Sequence, residues 1–431
     1  MPGLIVAAPA SGSGKTTITL GLLRALRHRG VAARSAKSGP DYIDPRFHEA
    51  ASGASCATLD AWAMTEARLR SQAGGEGVLV VEGAMGLFDG APPDGRGATA
   101  DLARLLGLPV LLVVDGSRMA QSAGPLVAGF ARADAAVRVA GALLNRVGSE
   151  RHAATLRRAV EAVGVPVLGA VPRAAALSHP SRHLGLVQAS ERPDLDAFVE
   201  AAADLVERHA DVPAILALAG GALPSAPGPR TRPPAQRVAV ARDEAFAFVY
   251  PHLLADWRAG GAELSFFSPL ADEPAPPADL VLLPGGYPEL HAGRLAAASR
   301  FMASLRAAPH VHGECGGYMT LGEGLIDADG RRHAMAGLLP LETSFAARRL
   351  HLGYRTVEAA RGPFPGRWAA HEFHYATALR EEGDPLYAAW DAEGTALAPM
   401  GLRRGGASGS FAHLIDRADG HAPASPLPLA P

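Results

Sequence analysis

The sequence predicts an α/β protein of two domains, the first built on a mostly parallel sheet covered by helices and the second on a new sheet. Three observations carry this reading. Short, near-continuous apolar runs alternate with helical segments, as expected of strands buried on both faces. A glycine-rich loop follows the first such run and opens the first helix. A Pro-rich stretch at 223–236 interrupts the pattern, which then begins again. The expected division is therefore 1–222, a linker at 223–236, a second domain at 237–420 and a flexible tail at 421–431.

The first apolar run, Leu4-Ile5-Val6-Ala7-Ala8, reads as a strand. Residues 18–29 read as a helix with apolar positions at Ile18, Leu22, Leu23 and Leu26. Between them lies Pro9-Ala10-Ser11-Gly12-Ser13-Gly14-Lys15-Thr16-Thr17. Loop amides and the positive end of a helix dipole face an anion at such a junction, and Lys15 adds a full charge. Pro9 stands where the phosphate-loop pattern has its first glycine, yet Gly12 and Gly14 still let backbone approach a phosphate. On this reading Gly12, Ser13, Gly14, Lys15, Thr16 and Thr17 hold a nucleotide. A Gly/Ser turn before an ordinary helix is the plainer alternative.

Residues 31–36 read as a second strand. It runs into Lys37-Ser38-Gly39-Pro40-Asp41-Tyr42-Ile43-Asp44-Pro45. Gly39 and Pro40 stop regular structure, which places Asp41 and Asp44 on a loop. Ligands of open α/β sheets bind at that edge. Two carboxylates and a lysine there suit Mg²⁺, phosphate and a substrate acid, and a surface Asp/Pro turn is the competing reading. The next strand, Val78-Leu79-Val80-Val81-Glu82, closes on an acid that can hold a metal beside the Lys15 loop. Asp89, past a glycine-rich turn, is a second acid for the same place. Read without the loop, Glu82 is a strand-end charge in water. Strands at 109–115, 140–145 and 165–171, with helices near 121–134 and 151–163, complete the first sheet. Asn145, at a strand exit, suits either a contact to a nucleotide base or turn chemistry.

A second sheet begins at 237–241 and continues at 264–267 and 279–283. The last of these runs into Pro284-Gly285-Gly286-Tyr287-Pro288-Glu289, whose glycine pair can offer N–H groups to an oxyanion. Residues 309–312 read as a short strand before Gly313-Glu314-Cys315-Gly316-Gly317-Tyr318-Met319. G-x-C-x-G between strand and helix is a nucleophile elbow with cysteine in place of serine. The glycines let the chain turn sharply and expose the sulfur, and the helix start is expected to lower the thiol pKa. A buried inert cysteine is the alternative. The nucleophile needs a base. Sixteen histidines leave it open among His413, His371 and His374, and His371 and His374 do not make a metal site by spacing alone.

Composition narrows the classes. A chain of 431 residues that is 48% hydrophobic and 19% charged supports large cores and excludes global disorder. Net charge is −2 with no basic block, so a general nucleic-acid surface is not expected. Two distant cysteines do not make a disulfide framework and fit the cytoplasm. No signal sequence and no membrane-spanning run is expected.

Six segments in order resemble the cobyrinate / hydrogenobyrinate a,c-diamide synthase family of corrinoid biosynthesis, over nearly the whole chain. They are Pro-Ala-Ser-Gly-Ser-Gly-Lys-Thr (9–16), Lys-Ser-Gly-Pro-Asp-Tyr-Ile-Asp-Pro (37–45), Val-Glu-Gly-Ala-Met-Gly-Leu-Phe-Asp-Gly (81–90), Gly-Gly-Tyr-Pro-Glu (285–289), Gly-Glu-Cys-Gly-Gly-Tyr-Met (313–319) and His-Glu-Phe-His-Tyr (371–375). The first half also resembles dethiobiotin synthetase, and the second resembles class I glutamine amidotransferases.

The resemblance implies a P-loop NTPase-like ATP- and corrinoid-binding domain, then a flavodoxin-like glutamine amidotransferase domain. It implies ATP-dependent amidation of the a and c side-chain carboxylates of hydrogenobyrinic or cobyrinic acid, through acyl phosphates. Ammonia comes from glutamine and passes within the protein. In these roles Cys315 is the nucleophile and His413 its base, with His371 or His374 in reserve. Gly285, Gly286 and Gly316 serve glutamine and its oxyanion. Lys15, Thr16, Lys37 and Asn145 serve ATP. Asp41, Glu82 and Asp89 are the metal and activating acids, Thr16, Asp41 and Glu82 holding Mg²⁺. Tyr42 and Asp44 face the corrinoid. The implied partners are the corrinoid acid, glutamine and ATP, without nucleic acid or membrane, and a homodimer is admitted. Many amidotransferases carry a Glu two residues after the base histidine, and here Ile415 stands there, so the group orienting His413 is unnamed. The competing readings are an amidoligase acting on another acid, and a partitioning or regulatory P-loop ATPase, against which the cysteine elbow argues.

Overall fold

The computed structural model describes residues 2–174, 188–221 and 227–418, with the backbone alone of 181–182 and 185–186. The tail expected at 421–431 and the linker residues 223–226 lie outside the described residues. The chain divides into two compact units, Met1–Pro229 and Arg230–Pro431.

The first unit is built on β1 (Gly3–Ala7), β2 (Ala33–Ser38), β3 (Cys56–Leu59), β4 (Val78–Glu82), β5 (Val110–Asp115), β6 (Val139–Val147) and β7 (Val167–Pro172). Their order is β3-β2-β4-β1-β5-β6-β7, with every pair parallel. A parallel sheet needs crossovers and cover on both faces. The helices are α1 (Lys15–His28), α2 (Asp44–Ser52), α3 (Glu66–Ala73), α4 (Thr99–Leu106), α5 (Ala123–Arg132), α6 (Glu150–Glu161), α7 (Leu195–His209) and α8 (Val212–Leu218). Two short strands, β8 (Ser181–Arg182) and β9 (Gly185–Leu186), pair antiparallel.

The expected stripe of α1 is buried: Ile18, Leu22, Leu23 and Leu26 all belong to the core with Leu4, Val6 and Val80. Each such leucine is worth about 1.5–3 kcal/mol relative to exposure. The opposite side of α1 is covered as well, because Phe198, Val199, Ala202 and Val206 of α7 join the same core. Arg24 of α1 reaches Asp196 at 2.9 Å and also bonds Glu200, both on α7. Asp44 departs from the loop expected for it. It opens α2, with Pro45 in the first turn, where a missing N–H leaves nothing unsatisfied. The strand at 56–59 and helices α2, α3, α4, α7 and α8 add to the expected set.

The second unit contains β10 (Arg237–Ala241), β11 (Glu263–Phe267), β12 (Leu280–Leu283), β13 (Val311–Glu314), β14 (Gly324–Ile326), β15 (Arg332–Ala334) and β16 (Leu341–Ser344). It continues with β17 (His351–Ala359), β18 (Gly366–His374), β19 (Thr377–Glu381), β20 (Asp384–Trp390), β21 (Met400–Arg404), β22 (Ala407–Ser410) and β23 (Ala412–Arg417). Ten of them form one sheet, β11-β10-β12-β13-β22-β21-β20-β17-β18-β23. The first five are parallel and the rest antiparallel. A smaller sheet runs β15-β14-β16-β19. The helices are α9 (Pro251–Ala259), α10 (Ala292–Ala297), α11 (Ser299–Ala307) and α12 (Gly316–Leu321). Among the described residues, no helix is long and apolar enough to cross a membrane.

The tightest helix contact in the first unit is at Gly21. A Cβ there would stand 2.4 Å from the carbonyl oxygen of Ala202 and 2.6 Å from Cγ2 of Val206. Backbone cannot yield as a side-chain tip can. Gly21→Ala is therefore expected to destabilise the first unit by about 1–3 kcal/mol through forced separation of α1 and α7. Urea denaturation followed by circular dichroism measures it.

Candidate functional site

The phosphate loop of the first unit has the geometry that glycine permits. Gly12 and Gly14 have φ of +78° and +89°, and Gly14 directly precedes α1. Ser13 Oγ donates to the Ala10 carbonyl at 2.8 Å, closing the turn. The loop lies close against 83–87: Leu87 N–H donates to Ala8 O at 2.8 Å, and a Cβ on Gly86 would stand 2.6 Å from Pro9 O. The Lys15 ammonium bends back and donates to Met85 O. Burial lowers its pKa, and the Glu82 carboxylate offsets this only in part. The loop opens on a cavity of about 540 Å³ lined by Ser11, Gly12, Gly14, Lys15, Thr16, Thr17, Lys37, Asp41, Asp44 and Glu82, among others.

Strand register assembles the charges beneath the loop. Lys37 on β2 is the direct neighbour of Glu82 on β4, and Val6 on β1 flanks Glu82 from the other side. Lys37 Nζ donates to Glu82 Oε1 at 2.8 Å and to Asp44 Oδ2 at 2.6 Å. Thr16 Oγ1 donates to Glu82 Oε1 at 2.7 Å and reaches Asp44 Oδ2 at 3.4 Å. Glu82 is not a strand-end charge in water, since it is 0% exposed. Burial alone would raise its pKa, but Lys37 and His48 hold it well below the usual carboxylate range. Burial likewise works against the Lys37 ammonium, and Asp44 and Glu82 outweigh it and raise its pKa.

Asp44 shares both Lys37 and Thr16 with Glu82, whereas Asp41 is 3.8 Å from Lys37 and accepts the Ile43 and Asp44 amides at 2.8 and 3.1 Å. Asp41 thus closes the turn that leads into α2 with one oxygen. Asp89 lies outside the Glu82 cluster and closes its own turn, accepting the Gly86 amide at 3.0 Å. Tyr42 is half-buried on the loop between Asp41 and α2.

The amide of Asn145 is turned to the loop. Its Nδ2 donates to Ser13 O at 2.8 Å and its Oδ1 accepts the Arg146 amide at 2.9 Å. Both ends of the group expected to face a base are thus engaged with backbone. Arg146 pairs with Asp115 at 2.6 Å. A second cavity, about 370 Å³, opens on this flank among Thr17, Arg118, Asn145, Arg146, Arg173 and Leu205.

In the second unit Cys315 adopts φ +46°, ψ −105°, a strained backbone for a residue with a side chain, between β13 and α12. The flanking glycines are required by contact: a Cβ on Gly313 would stand 2.6 Å from Gly317 C, and one on Gly317 would stand 1.9 Å from Leu283 O. The elbow is therefore present, but its sulfur is not exposed. Cys315 is 4% exposed, and Sγ lies 3.8 Å from Phe373 O of β18. The expected lowering of the thiol pKa is not found either. Burial and then the Glu289 carboxylate push it up, and the amide of Gly316 opposes them only weakly.

The Gly285–Gly286 turn closes on the elbow. A Cβ on Gly316 would lie 3.1 Å from Gly286 N, and one on Gly285 would lie 2.2 Å from Cε1 of His413. His413, on β23, stands opposite His371 on β18. Burial, with His371 and His374 adding to it, lowers the His413 pKa to about 3, and burial lowers that of His371 to about 4. Both imidazoles are thus neutral at pH 7. His351, Glu372 and His374 bring potential ligand atoms within 4.8 Å of one another. Arg355, however, lies 2.8 Å from Glu372 Oε2 and supplies the positive charge there.

Residues 4–187 match the model of the CobQ/CobB/MinD/ParA nucleotide binding domain, and residues 237–420 that of the CobB/CobQ-like glutamine amidotransferase domain. Fold and sites together define the class: a nucleotide-binding unit and a glutamine amidotransferase unit in one chain. Hydrogenobyrinate a,c-diamide synthase of Brucella anthropi is 55% identical to this chain, covering 96% of it and 99% of the relative. The synthase of the same name from Rhodobacter capsulatus is 54% identical, covering 96% and 98%, and that from Rhizobium meliloti is 55% identical, covering 96% and 99%. The chain belongs to the hydrogenobyrinate a,c-diamide synthase family.

Sequence reasoning missed His48 and Cys56. His48 Nε2 bonds Glu82 Oε2 at 2.6 Å, and Cys56 Sγ lies 3.5 Å from His48 Nδ1, all three being buried. The available signal was spacing, since Asp44 and His48 are one turn apart on α2 and share a face. Burial disfavours the charge on His48, but Cys56 and Glu82 raise its pKa to about 10. A base whose pKa is raised on folding stabilises fully below its ordinary pKa of 6.5 and loses that contribution as pH rises toward 10. His48→Leu is therefore expected to cost about 3 kcal/mol at pH 7 by removing one partner of a buried carboxylate. The gap between wild type and variant should narrow by pH 10, as read from urea denaturation at the two pH values.

Proposed function

We propose that this chain amidates the a and c side-chain carboxylates of hydrogenobyrinic acid, or of its cobalt-containing counterpart cobyrinic acid, in cobalamin biosynthesis. It uses ammonia released from glutamine and activation by ATP, and it is a glutamine-hydrolysing carbon–nitrogen ligase. Residues 1–222 take ATP and the corrinoid, 237–420 take glutamine, 223–236 link them, and the enzyme works in the cytoplasm. The observation that carries this reading is the strained backbone of Cys315 beside the Gly285–Gly286 turn and His413, in a chain that also holds a phosphate loop.

In the second unit the Cys315 sulfur attacks the side-chain amide carbon of glutamine, and its proton passes to His413. A histidine held neutral by burial is ready to accept that proton. The raised thiol pKa means that the thiolate forms with the attack rather than standing preformed. The amides of Gly286 and Gly316 stabilise the oxyanion. The carbon–nitrogen bond breaks, the nitrogen takes the proton from His413 and leaves as ammonia, and water hydrolyses the thioester to glutamate.

In the first unit a carboxylate oxygen of the corrinoid attacks the γ-phosphorus of ATP, giving an acyl phosphate and ADP. Ammonia then attacks the acyl carbon and expels phosphate. Direct amide formation from a carboxylate is uphill in water, which is why a phosphate leaving group is needed. Gly12, Ser13, Gly14, Lys15, Thr17 and Lys37 hold the phosphates, and Asn145 holds the loop that does so. The hydroxyl and carboxylate oxygens of Thr16, Asp44 and Glu82 converge within 3.4 Å of one another or of Lys37, a hard-oxygen set that suits Mg²⁺. When bound, Mg²⁺ neutralises phosphate charge. Asp41, Asp89 and Tyr42 are left to orient the corrinoid side chain and its loop.

Incubation with ATP, Mg²⁺, glutamine and either corrinoid acid should convert two carboxylic acids to amides, as followed by mass spectrometry. Turnover with some other acid and with neither corrinoid would overturn the assignment. Cys315→Ala should abolish glutamine-dependent amidation and keep ammonia-dependent amidation, and equal loss of both would make the cysteine structural.

A further inference from the structure

We propose that Glu314 positions the imidazole of His413, supplying from the residue before the nucleophile the carboxyl group that is lacking two residues after the histidine. This rests on the amidotransferase reading of the second unit. A histidine acting as base on a thiol must keep its proton on the nitrogen turned away from the sulfur, and that N–H needs an acceptor. Ile415, at the position where many amidotransferases carry the acceptor, is apolar and fully buried.

Glu314 Oε2 lies 4.0 Å from His413 Nδ1. Its other oxygen accepts the Leu414 amide at 3.3 Å, which ties the carboxyl to the strand that carries the histidine. Topology explains the reach. Glu314 ends β13 and is the register partner of Ser410 on β22, and only Phe411 and Ala412 separate Ser410 from His413. A side chain preceding Cys315 therefore arrives beside the strand that carries His413. Among the described residues Glu314 is bridged to no arginine or lysine, so its acceptor capacity is not drawn elsewhere by a cation. Glu372, the acid whose charge raises the His413 pKa against its burial, is committed to Arg355 at 2.8 Å and His374 at 3.0 Å. Burial raises the Glu314 pKa to about 8 and lowers that of His413 to about 3, so the resting pair is uncharged and carries little desolvation cost. Glu314 touches no reacting atom in this scheme. It is a positioning residue.

Glutamine hydrolysis by the full-length protein tests this. Glu314→Leu is expected to lower kcat about a hundredfold, the scale of a misoriented base, while KM for glutamine moves by less than about threefold. Glu314→Gln keeps a carbonyl acceptor and should stay within about tenfold of wild type. A Glu314→Leu rate equal to wild type, or a Glu314→Gln rate no better than that of Glu314→Leu, overturns the proposal. The ¹⁵N shifts of the His413 ring in the wild-type protein, assigned by difference from His413→Asn, need no folded Glu314 variant. Protonation on Nδ1 is expected, and protonation on Nε2 overturns the proposal. If Cys315→Ala hydrolyses glutamine at the wild-type rate, the amidotransferase reading itself fails, an outcome separate from failure at Glu314 alone.

Discussion

The burial of one carboxylate, Glu82, sets the constraints under which the first unit is organised. An ionised acid removed from water is tolerated only when paired and hydrogen-bonded. Glu82 receives Lys37 and Thr16 on one oxygen and His48 on the other. Each partner comes from a different element: β2, the start of α1, and α2. Those elements cannot shift independently without leaving a charge stranded. Of the partners of Glu82, Lys37 and Thr16 also line the cavity at the phosphate loop.

Close approach of backbone plays the corresponding part in the second unit. The turn at Cys315 needs a positive φ at a residue with a side chain, a conformation that persists only where its surroundings over-determine it. Gly313 and Gly317 let β13, α12 and the Leu283 carbonyl come together, and Gly285 lets the His413 ring lie against the neighbouring turn. A methyl group at any of these positions would meet backbone or the imidazole itself. The strain thus rests on glycine spacing that is readable in the chain, whereas the burial that raises the thiol pKa is not. That burial comes from β18, nearly sixty residues downstream in sequence.

Local signals were legible wherever a residue type is dictated by its own backbone. The phosphate loop, the alternation of apolar strands with helices, the acid closing β4 and the G-x-C-x-G turn all belong to this kind. Signals failed where a short segment takes its structure from what packs on it. Cys56 to Leu59 is too short to declare itself a strand, and α7 is known only by the face of α1 that it covers. The antiparallel half of the ten-stranded sheet shows little clean alternation, because its strands differ in how much of each face is covered. Asp44 was misplaced because Gly39 and Pro40 argued for a loop, while Pro45 was already opening a helix. Asn145, at a strand exit, suited either a base contact or turn chemistry, and which atoms it would bond was not written there.

By itself the sequence determined the α/β class and pointed to the phosphate loop, the acid closing β4 and the cysteine elbow, since glycines and strand ends act through local backbone geometry, and its resemblance to a known family supplied the two-part chemistry. Tertiary structure decided which acid sits beside which base. Asp44 rather than Asp41 joins Glu82, His48 and Cys56 stand behind that acid, and Glu314 comes to 4.0 Å from His413. These pairings depend on strand register and helix rotation, which bring together residues tens of positions apart. Protonation follows from the same cause, because desolvation belongs to the packed interior and not to the residue.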